Sequence, residues 1–215
     1  MEKTTTRPAR IDDAPFIAWV MQEAARSHLA IGIWDVVFPG PDEQRLKALE
    51  ALNSTEIIHF GHWSRFLVAQ VNGKNAAALS AYEPIRHGKE KIGQAIAESF
   101  ATMEKSNEEL AEVPKLFASI RSLGYVNHDG FWIIEWVATL PEFRGRGLIN
   151  QLLLEVLEKG RTQGFKDAQI GYILGNVPAK NAYEKVGFKH VKDYCHPDYE
   201  KVFGTPGMAS MNLKL

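Results

Sequence analysis

One stretch of the chain constrains the fold most: an apolar run followed by a glycine-rich turn and an amphipathic stripe. Residues 131–140 are almost continuously apolar and rich in Ile, Val and Trp, a pattern typical of a strand buried on both faces at the centre of a sheet. Pro141 ends this run, and Gly145 and Gly147 precede apolar residues at helical spacing. The sequence therefore predicts strand, turn and helix in succession, with the helix ending near Gly160.

The other segments predict an α/β chain with a mixed sheet. A strand in residues 1–10 precedes two helices, and then two strands are joined by Asn72 and Gly73, the preferred two-residue hairpin turn. Residues 85–128 are polar and largely helical, and we expect them to form an insertion that covers another part of the molecule. After the glycine-rich turn and its helix come a strand, a short helix and two strands. We expect a central sheet flanked by helices, folded as a single domain over residues 1–215.

Composition narrows the classes of partner and cofactor. The net charge of -1 leaves no excess of Lys and Arg to neutralise phosphates, so we expect no nucleic-acid partner. No apolar run approaches the roughly 20 residues that cross a bilayer, and the chain begins with polar residues. We therefore expect no membrane association and a cytoplasmic location. Cys195 is the single cysteine, and no histidine pair stands with a carboxylate in a metal-ligand pattern, so we predict no metal site.

Residues 141–148 have the chemistry of an anion site. A helix N-terminus offers unpaired backbone N–H groups and a partial positive charge, and glycines let a phosphate approach that backbone closely. Arg144 and Arg146 add full charges beside it, which suits a pyrophosphate. The same glycines would also serve a tight strand-to-helix turn without a ligand, and these residues alone do not decide between the two interpretations.

Two segments resemble signatures of the GNAT acetyltransferase superfamily. Residues 137–147 resemble the family segment that runs from the central strand into the pyrophosphate loop, where the pattern is Arg or Gln, two residues, Gly, one residue, and Gly or Ala. Arg144 and Gly147 match this pattern; Ile149 does not, and its larger side chain would narrow the approach of the pyrophosphate. The second family signature consists of Asn, Ala, Tyr and Gly-Phe, matched here at Asn176, Ala179, Tyr183, Gly187 and Phe188.

The resemblance implies the GNAT acyl-CoA N-acyltransferase fold and transfer of an acetyl group from acetyl-CoA to a primary amine, by direct attack in a ternary complex. The backbone of Val137, Ala138 and Thr139 would pair with the pantetheine arm where two parallel strands diverge, and one amide would polarise the thioester carbonyl. Asn176 would hold the pantetheine. The cofactor-binding residues that the resemblance implies are Val137, Ala138, Thr139, Arg144, Gly145, Arg146, Gly147, Leu148, Ile149, Asn150, Asn176, Ala179 and Tyr183.

Two side chains are candidates for proton transfer. The resemblance makes Tyr183 the general acid that protonates the departing thiolate; the alternative is a packing aromatic on a short helix. Glu135 interrupts the apolar run with a charge that is costly to bury, so we predict that it accepts the proton of the attacking ammonium, directly or through water. An ion pair with a neighbouring arginine, or a position at the sheet end, would also explain this glutamate.

Two alternative functions would also account for some of these residues. Gly145 and Gly147 partly match the dinucleotide-binding fingerprint, but Asn150 stands at its third glycine position, and Asp167 opens the next strand instead of ending it. A non-catalytic acyl-CoA sensor of the GNAT fold would use the insertion at residues 85–128 to contact a partner.

The acceptor side carries no motif that identifies the amine. We expect a small-molecule or peptide amine to bind near Trp34 and Asp35, with residues 85–128 acting as a lid. Residues 196–207 are expected to form a packed loop before the last strand. An exposed apolar final strand would allow a homodimer to form by strand pairing.

Overall fold

A seven-stranded mixed sheet organises the computed structural model, which describes residues 2–103 and 106–215. Met1 and residues 104 and 105 of the predicted insertion lie outside the described residues. The strands are β1 (Thr4–Pro8), β2 (Phe66–Val71), β3 (Lys74–Tyr82), β4 (Trp132–Thr139), β5 (Asp167–Ile173), β6 (Lys189–Cys195) and β7 (Gly207–Lys214). Their order across the sheet is β1-β2-β3-β4-β5-β7-β6, with β4 and β5 parallel and the other neighbours antiparallel. The predicted central position of β4 is confirmed.

Helices lie before, between and after these strands. They are α1 (Ala14–Arg26), α2 (Ile33–Val37), α3 (Asp42–Asn53), α4 (Pro84–His87), α5 (Lys89–Thr102), α6 (Asn107–Leu116), α7 (Ala118–Ser122), α8 (Leu148–Thr162), α9 (Val177–Lys185) and α10 (Pro197–Phe203). The predicted elements occur in the predicted order, with α2 and α10 in addition to them. The predicted hairpin turn is confirmed, and its Asn72 and Gly73 have φ values of 51° and 80°.

Two segments contain helices that were not predicted from the sequence: the expected loop at residues 196–207 and the stretch around Trp34. In residues 196–207, Pro197 opens α10, and the ring nitrogen Nδ1 of His196 accepts the Asp198 N–H at 3.2 Å. Gly204, with φ 72°, ends that helix. Around Trp34, helix α2 forms because the Asp35 carboxylate accepts the Gly32 N–H at 2.8 Å. Both segments are therefore ordered by short-range capping.

Apolar side chains cover both faces of the sheet. On one face, α1, α3 and α5 bury a cluster that includes Ile17, Leu49 and Ile96, and on the other, α8 packs Leu152 and Leu153 against the strands. The expected insertion is present and helical. Its helix α5 buries an apolar side in the first cluster, so this part of the insertion belongs to the core and is not a lid.

The last strand does not lie at an edge of the sheet. β7 lies between β5 and β6 and pairs with both, while β1 and β6 form the edges. The expectation of an exposed final strand that pairs between subunits is therefore wrong, because the backbone groups of β7 are already paired within the chain. In the described ranges, no helix combines the length and the apolar character needed to cross a membrane.

Candidate active site

The two parallel strands at the centre of the sheet diverge. β4 pairs with β5 at Trp132, Ile133 and Ile134 and not beyond, whereas it continues to pair with β3 as far as Thr139. Trp132 to Ile134 are buried, and the following residues of β4 are partly exposed. The edge of β4 that faces β5 is therefore open from Glu135 onward, and an extended ligand can pair with it as an added strand. Val137, Ala138 and Thr139 lie on this open stretch.

A β-bulge begins directly after Glu135. Ala138 pairs with Ala78 and Glu135 with Ser80, so β4 carries one extra residue in this interval. Trp136 lies within it and has a φ of 53°, which is rare for a residue with a side chain. Its ring packs against Trp34 and Phe60, with centroid separations of 5.4 and 5.9 Å. No local signal marks this bulge, because a tryptophan in an apolar run is also typical of a regular strand.

Glu135 is held by two neutral donors. Tyr82 Oη and Asn127 Nδ2 donate to its Oε1 at 3.0 and 2.7 Å. Burial raises the pKa of the Glu135 carboxyl, and the hydrogen bonds from Asn127 and Tyr82 and the charge of Lys89 oppose that rise. No Lys or Arg of the described ranges forms an ion pair with it, so the ion-pair explanation of this glutamate is not supported.

Helix α8 begins at a left-handed glycine that faces open space. Gly145 and Gly147 have φ values of 76° and 74°, and a Cβ built on either would meet no heavy atom within 4 Å. Both glycines are needed for the turn of the backbone and leave its outer side open. Leu148 is buried and anchors the helix, whose first N–H groups have no acceptor within the helix. A phosphate fits this arrangement sterically and electrostatically.

The side chains of this turn are mostly exposed. Arg146 pairs with Glu2 and lies over the Phe143 ring, 5.2 Å from its centroid. Arg144 donates to the Thr139 carbonyl at 3.3 Å. Because these contacts lie at the surface, both guanidinium groups can reorient toward a ligand at low cost. Asn150 is partly buried in the first turn of α8.

Ile149, the residue that departs from the family pattern, lies in the first turn of α8. Its side chain is partly buried and packs against the core cluster that contains Leu152 and Leu153. Part of the Ile149 side chain therefore lies against the protein core.

Helix α9 begins at Asn176. The Asn176 Oδ1 atom accepts the Ala179 N–H at 3.0 Å, and its Nδ2 donates to Ser27 Oγ at 2.5 Å. Tyr183 lies further along α9, where it is buried and packs near Phe188. Burial raises the pKa of the Tyr183 hydroxyl and keeps it protonated. Tyr183 therefore packs in the protein core, and its protonated hydroxyl is also compatible with a role as a proton donor.

The topology brings these segments to one end of the sheet. Because β4 and β5 are parallel neighbours, the turn that leads into α8 and the turn that leads into α9 leave from the same sheet edge. Asp35, in contrast, is bound by Arg26 at 2.6 Å and Arg45 at 3.2 Å and so has a structural role. No group of three His, Cys, Asp or Glu that could hold a metal ion occurs in the part of the chain described.

A family model described as the acetyltransferase (GNAT) family matches residues 33–188. The chain belongs to the GNAT acetyltransferase family. The match includes β4, both turns and Tyr183, so the predicted resemblance is confirmed. No curated protein matches the sequence.

Solved structures have the same GNAT fold at low sequence identity. An N-acetyltransferase from Staphylococcus aureus Mu50 is 21% identical with a TM-score of 0.64, covering 97% of this chain and 100% of its own. Another acetyltransferase is 17% identical with a TM-score of 0.70 and 98% coverage of both chains. The yncA protein from Salmonella typhimurium, solved with its cofactor acetyl-CoA, is 16% identical with a TM-score of 0.54 and covers 99% of this chain and 94% of its own. The predicted mixed α/β fold class is confirmed.

Proposed function

We propose that this protein transfers the acetyl group of acetyl-CoA to a primary amine by direct attack in a ternary complex. The observation that carries the proposal is the open edge of β4 beside a helix start that faces empty space. Family membership supports acetyl transfer, and the acetyl-CoA in the Salmonella structure supports the identity of the donor.

The donor would bind along the edge where β4 and β5 diverge. Backbone N–H groups from Gly145 to Asn150, with the Arg144 and Arg146 guanidinium groups, would hold the pyrophosphate. The pantetheine arm would pair with the open backbone of residues 137–139, and one N–H there would stabilise negative charge on the thioester oxygen. Asn176 would contact the arm through its Nδ2 group, giving up its hydrogen bond to Ser27.

Glu135 and Tyr183 would move the two protons. Neither Tyr82 nor Asn127 donates to Glu135 Oε2, and no other side chain of the described ranges does, so this oxygen can take a proton from the ammonium group. The free amine nitrogen would then bond to the carbonyl carbon as the carbon–sulfur bond breaks. The departing thiolate would receive its proton from the Tyr183 hydroxyl, which burial keeps protonated.

A thiol-release assay tests the proposal. The full chain is incubated with acetyl-CoA and a panel of small aliphatic amines, aromatic amines and peptides with free amino termini, and free coenzyme A is measured. We expect amine-dependent thiol release, with the acetylated product confirmed by mass spectrometry. Binding of acetyl-CoA without release for every amine would favour the non-catalytic sensor.

Glu135→Gln tests the base directly. A glutamine keeps the shape but cannot accept the proton, so we expect the rate to fall by about a hundredfold or more and the acid limb of the pH–rate profile to disappear. An unchanged profile would remove Glu135 from the mechanism. Affinity for acetyl-CoA should stay close to that of the wild type and serves as the control.

A further inference from the structure

The segment after α7, at the end of the helical insertion, contacts the predicted base. Asn127 Nδ2 lies 2.7 Å from Glu135 Oε1 and 2.7 Å from Tyr82 Oη. The tyrosine hydroxyl in turn donates to the same carboxylate oxygen at 3.0 Å. The amide supplies one hydrogen to each oxygen, so the three groups form a closed triangle with every donor used. Within it, both donors to the carboxylate are on Oε1.

Gln169 fixes the backbone on both sides of Asn127. This glutamine is fully buried on β5; its Nε2 donates to the Val126 carbonyl at 2.8 Å, and its Oε1 accepts the His128 N–H at 2.9 Å. Gln169 Nε2 also lies 3.3 Å from Ser210 Oγ on β7. The Gln169 side-chain amide thus supplies the hydrogen bonds that residues 126 and 128 would otherwise need from a neighbouring backbone. The position of Asn127 is therefore set by the same sheet that carries Glu135.

The same segment crosses β5 at a glycine. A Cβ built on Gly171 would lie 2.5 Å from Tyr125 Oη, so only glycine lets the tyrosine lie this close to the strand. Tyr125 also packs edge-on against Tyr194, with ring centroids 5.2 Å apart. Two independent contacts hold residues 125–128 against the sheet. They are the pair of Gln169 hydrogen bonds to the backbone, which we call the Gln169 clamp, and the packing of Tyr125 over Gly171.

We propose that Asn127 is a positioning residue for acetyl transfer, which holds Glu135 by Oε1 and leaves Oε2 free for the ammonium group of the acceptor. The proposal rests on the proposed function, because it acts through Glu135. It gives the end of the insertion a role in catalysis in addition to its part in the core. Neither family signature in the sequence includes Asn127 or Tyr82.

The charges around Glu135 predict the direction of the effect. The titratable groups that face it are Tyr82 from β3, Tyr125 from the segment itself and Lys89 from α5. Burial raises the pKa of both tyrosines, so they stay neutral at working pH. Without the Asn127 hydrogen bond, less would offset the rise in the Glu135 pKa that burial causes. The carboxylate would then bind its proton more tightly, and activity would need a higher pH.

Asn127→Ala tests the proposal through a pH profile and a direct titration. We expect the acid limb of kcat to move to higher pH by about one unit, the size of one lost hydrogen bond to a charged group. The same shift should be found in a carbon-13 NMR titration of the Glu135 carboxyl, which does not depend on turnover. Affinity for acetyl-CoA should not change. Asn127→Asp keeps the side-chain size, removes the donors and adds a charge, so it should shift the limb further.

His128→Ala is the matched control, since it changes the same segment without removing a contact to Glu135. It should leave both titrations unchanged. If Asn127→Ala does not fold, Asn127→Asp and Tyr82→Phe decide the question by the same titration. An unmoved limb in folded Asn127 variants, while Glu135→Gln abolishes it, would overturn the positioning role alone. An acid limb that survives in Glu135→Gln would instead overturn the proposed base.

Discussion

Substitution of Gly147 by alanine separates the fold of the α8 turn from its use as an anion site. Gly147 has a φ of 74°, a conformation that costs an alanine about 1–2 kcal/mol. Because a Cβ there would meet no protein atom within 4 Å, we expect no clash to add to this cost. For a chain of this length, each kcal/mol lowers the melting temperature by about 2–4 °C. The variant should therefore fold and melt slightly earlier than the wild type.

The effect on the donor should be larger than the effect on stability. The new methyl group would stand in the open space where the pyrophosphate has to approach the backbone. We expect the affinity for coenzyme A, measured by calorimetry below the melting transition, to fall by at least about tenfold, or about 1.4 kcal/mol. That loss would arise at the binding site, because the unligated variant remains folded.

Gly204→Ala is the matched control. Gly204 also has a left-handed backbone, with φ 72°, and a Cβ there would likewise meet nothing within 4 Å, but it ends α10 on another part of the chain. Its alanine variant should lose the same stability and bind coenzyme A normally. Wild-type affinity in Gly147→Ala, or an equal loss in both variants, would refute the assignment of the anion site to this helix start.

Three further changes have defined outcomes. Tyr183→Phe should lower kcat by about a hundredfold or more and spare donor affinity, and full activity would remove the general acid. Gly171→Ala should displace Tyr125, 2.5 Å from the new Cβ, and lower kcat, whereas wild-type kcat would contradict the packing argument. Burial lowers the pKa of His59 from 6.5 to about 4, so at pH values between these two unfolding takes up a proton at this residue. Its contribution to the unfolding free energy should therefore fall by about 3 kcal/mol between pH 6.5 and 4, and an imidazole NMR titration near 6.5 would contradict this.

Local signals in the sequence were sufficient to predict the central elements of the fold. The apolar run of β4, the glycines before α8 and the Asn72-Gly73 turn each constrain a few consecutive residues, and the structure has a strand, a helix start and a hairpin there. The same property explains the family assignment, since both signatures are short segments at strand–helix junctions.

Features that depend on distant residues were missed or wrong. Alternating apolar residues identify which face of β7 is buried but not its neighbours, so its position between β5 and β6 could not be read from the sequence. The bulge at Trp136 depends on pairing with β3. The contact between Asn127 and Glu135 requires the Gln169 clamp from another strand, and no periodicity in residues 85–128 marks it.

Helix α10 was missed for a different reason. Its signals, Pro197 at the first turn and Gly204 at the end, were present, but the helix is short and its buried residues, Tyr199 and Phe203, are also typical of a packed loop. The site residues on β4, α8 and α9 remain predictions, and they require a ligand-binding measurement.

Calorimetric titration of the full chain with coenzyme A measures donor binding itself. One coenzyme A should bind saturably to each chain, with an affinity that falls by at least about tenfold in Gly147→Ala and stays at the wild-type value in Gly204→Ala. Absence of binding to the folded protein would contradict the open β4 edge as a donor site, and the proposed acetyl transfer with it.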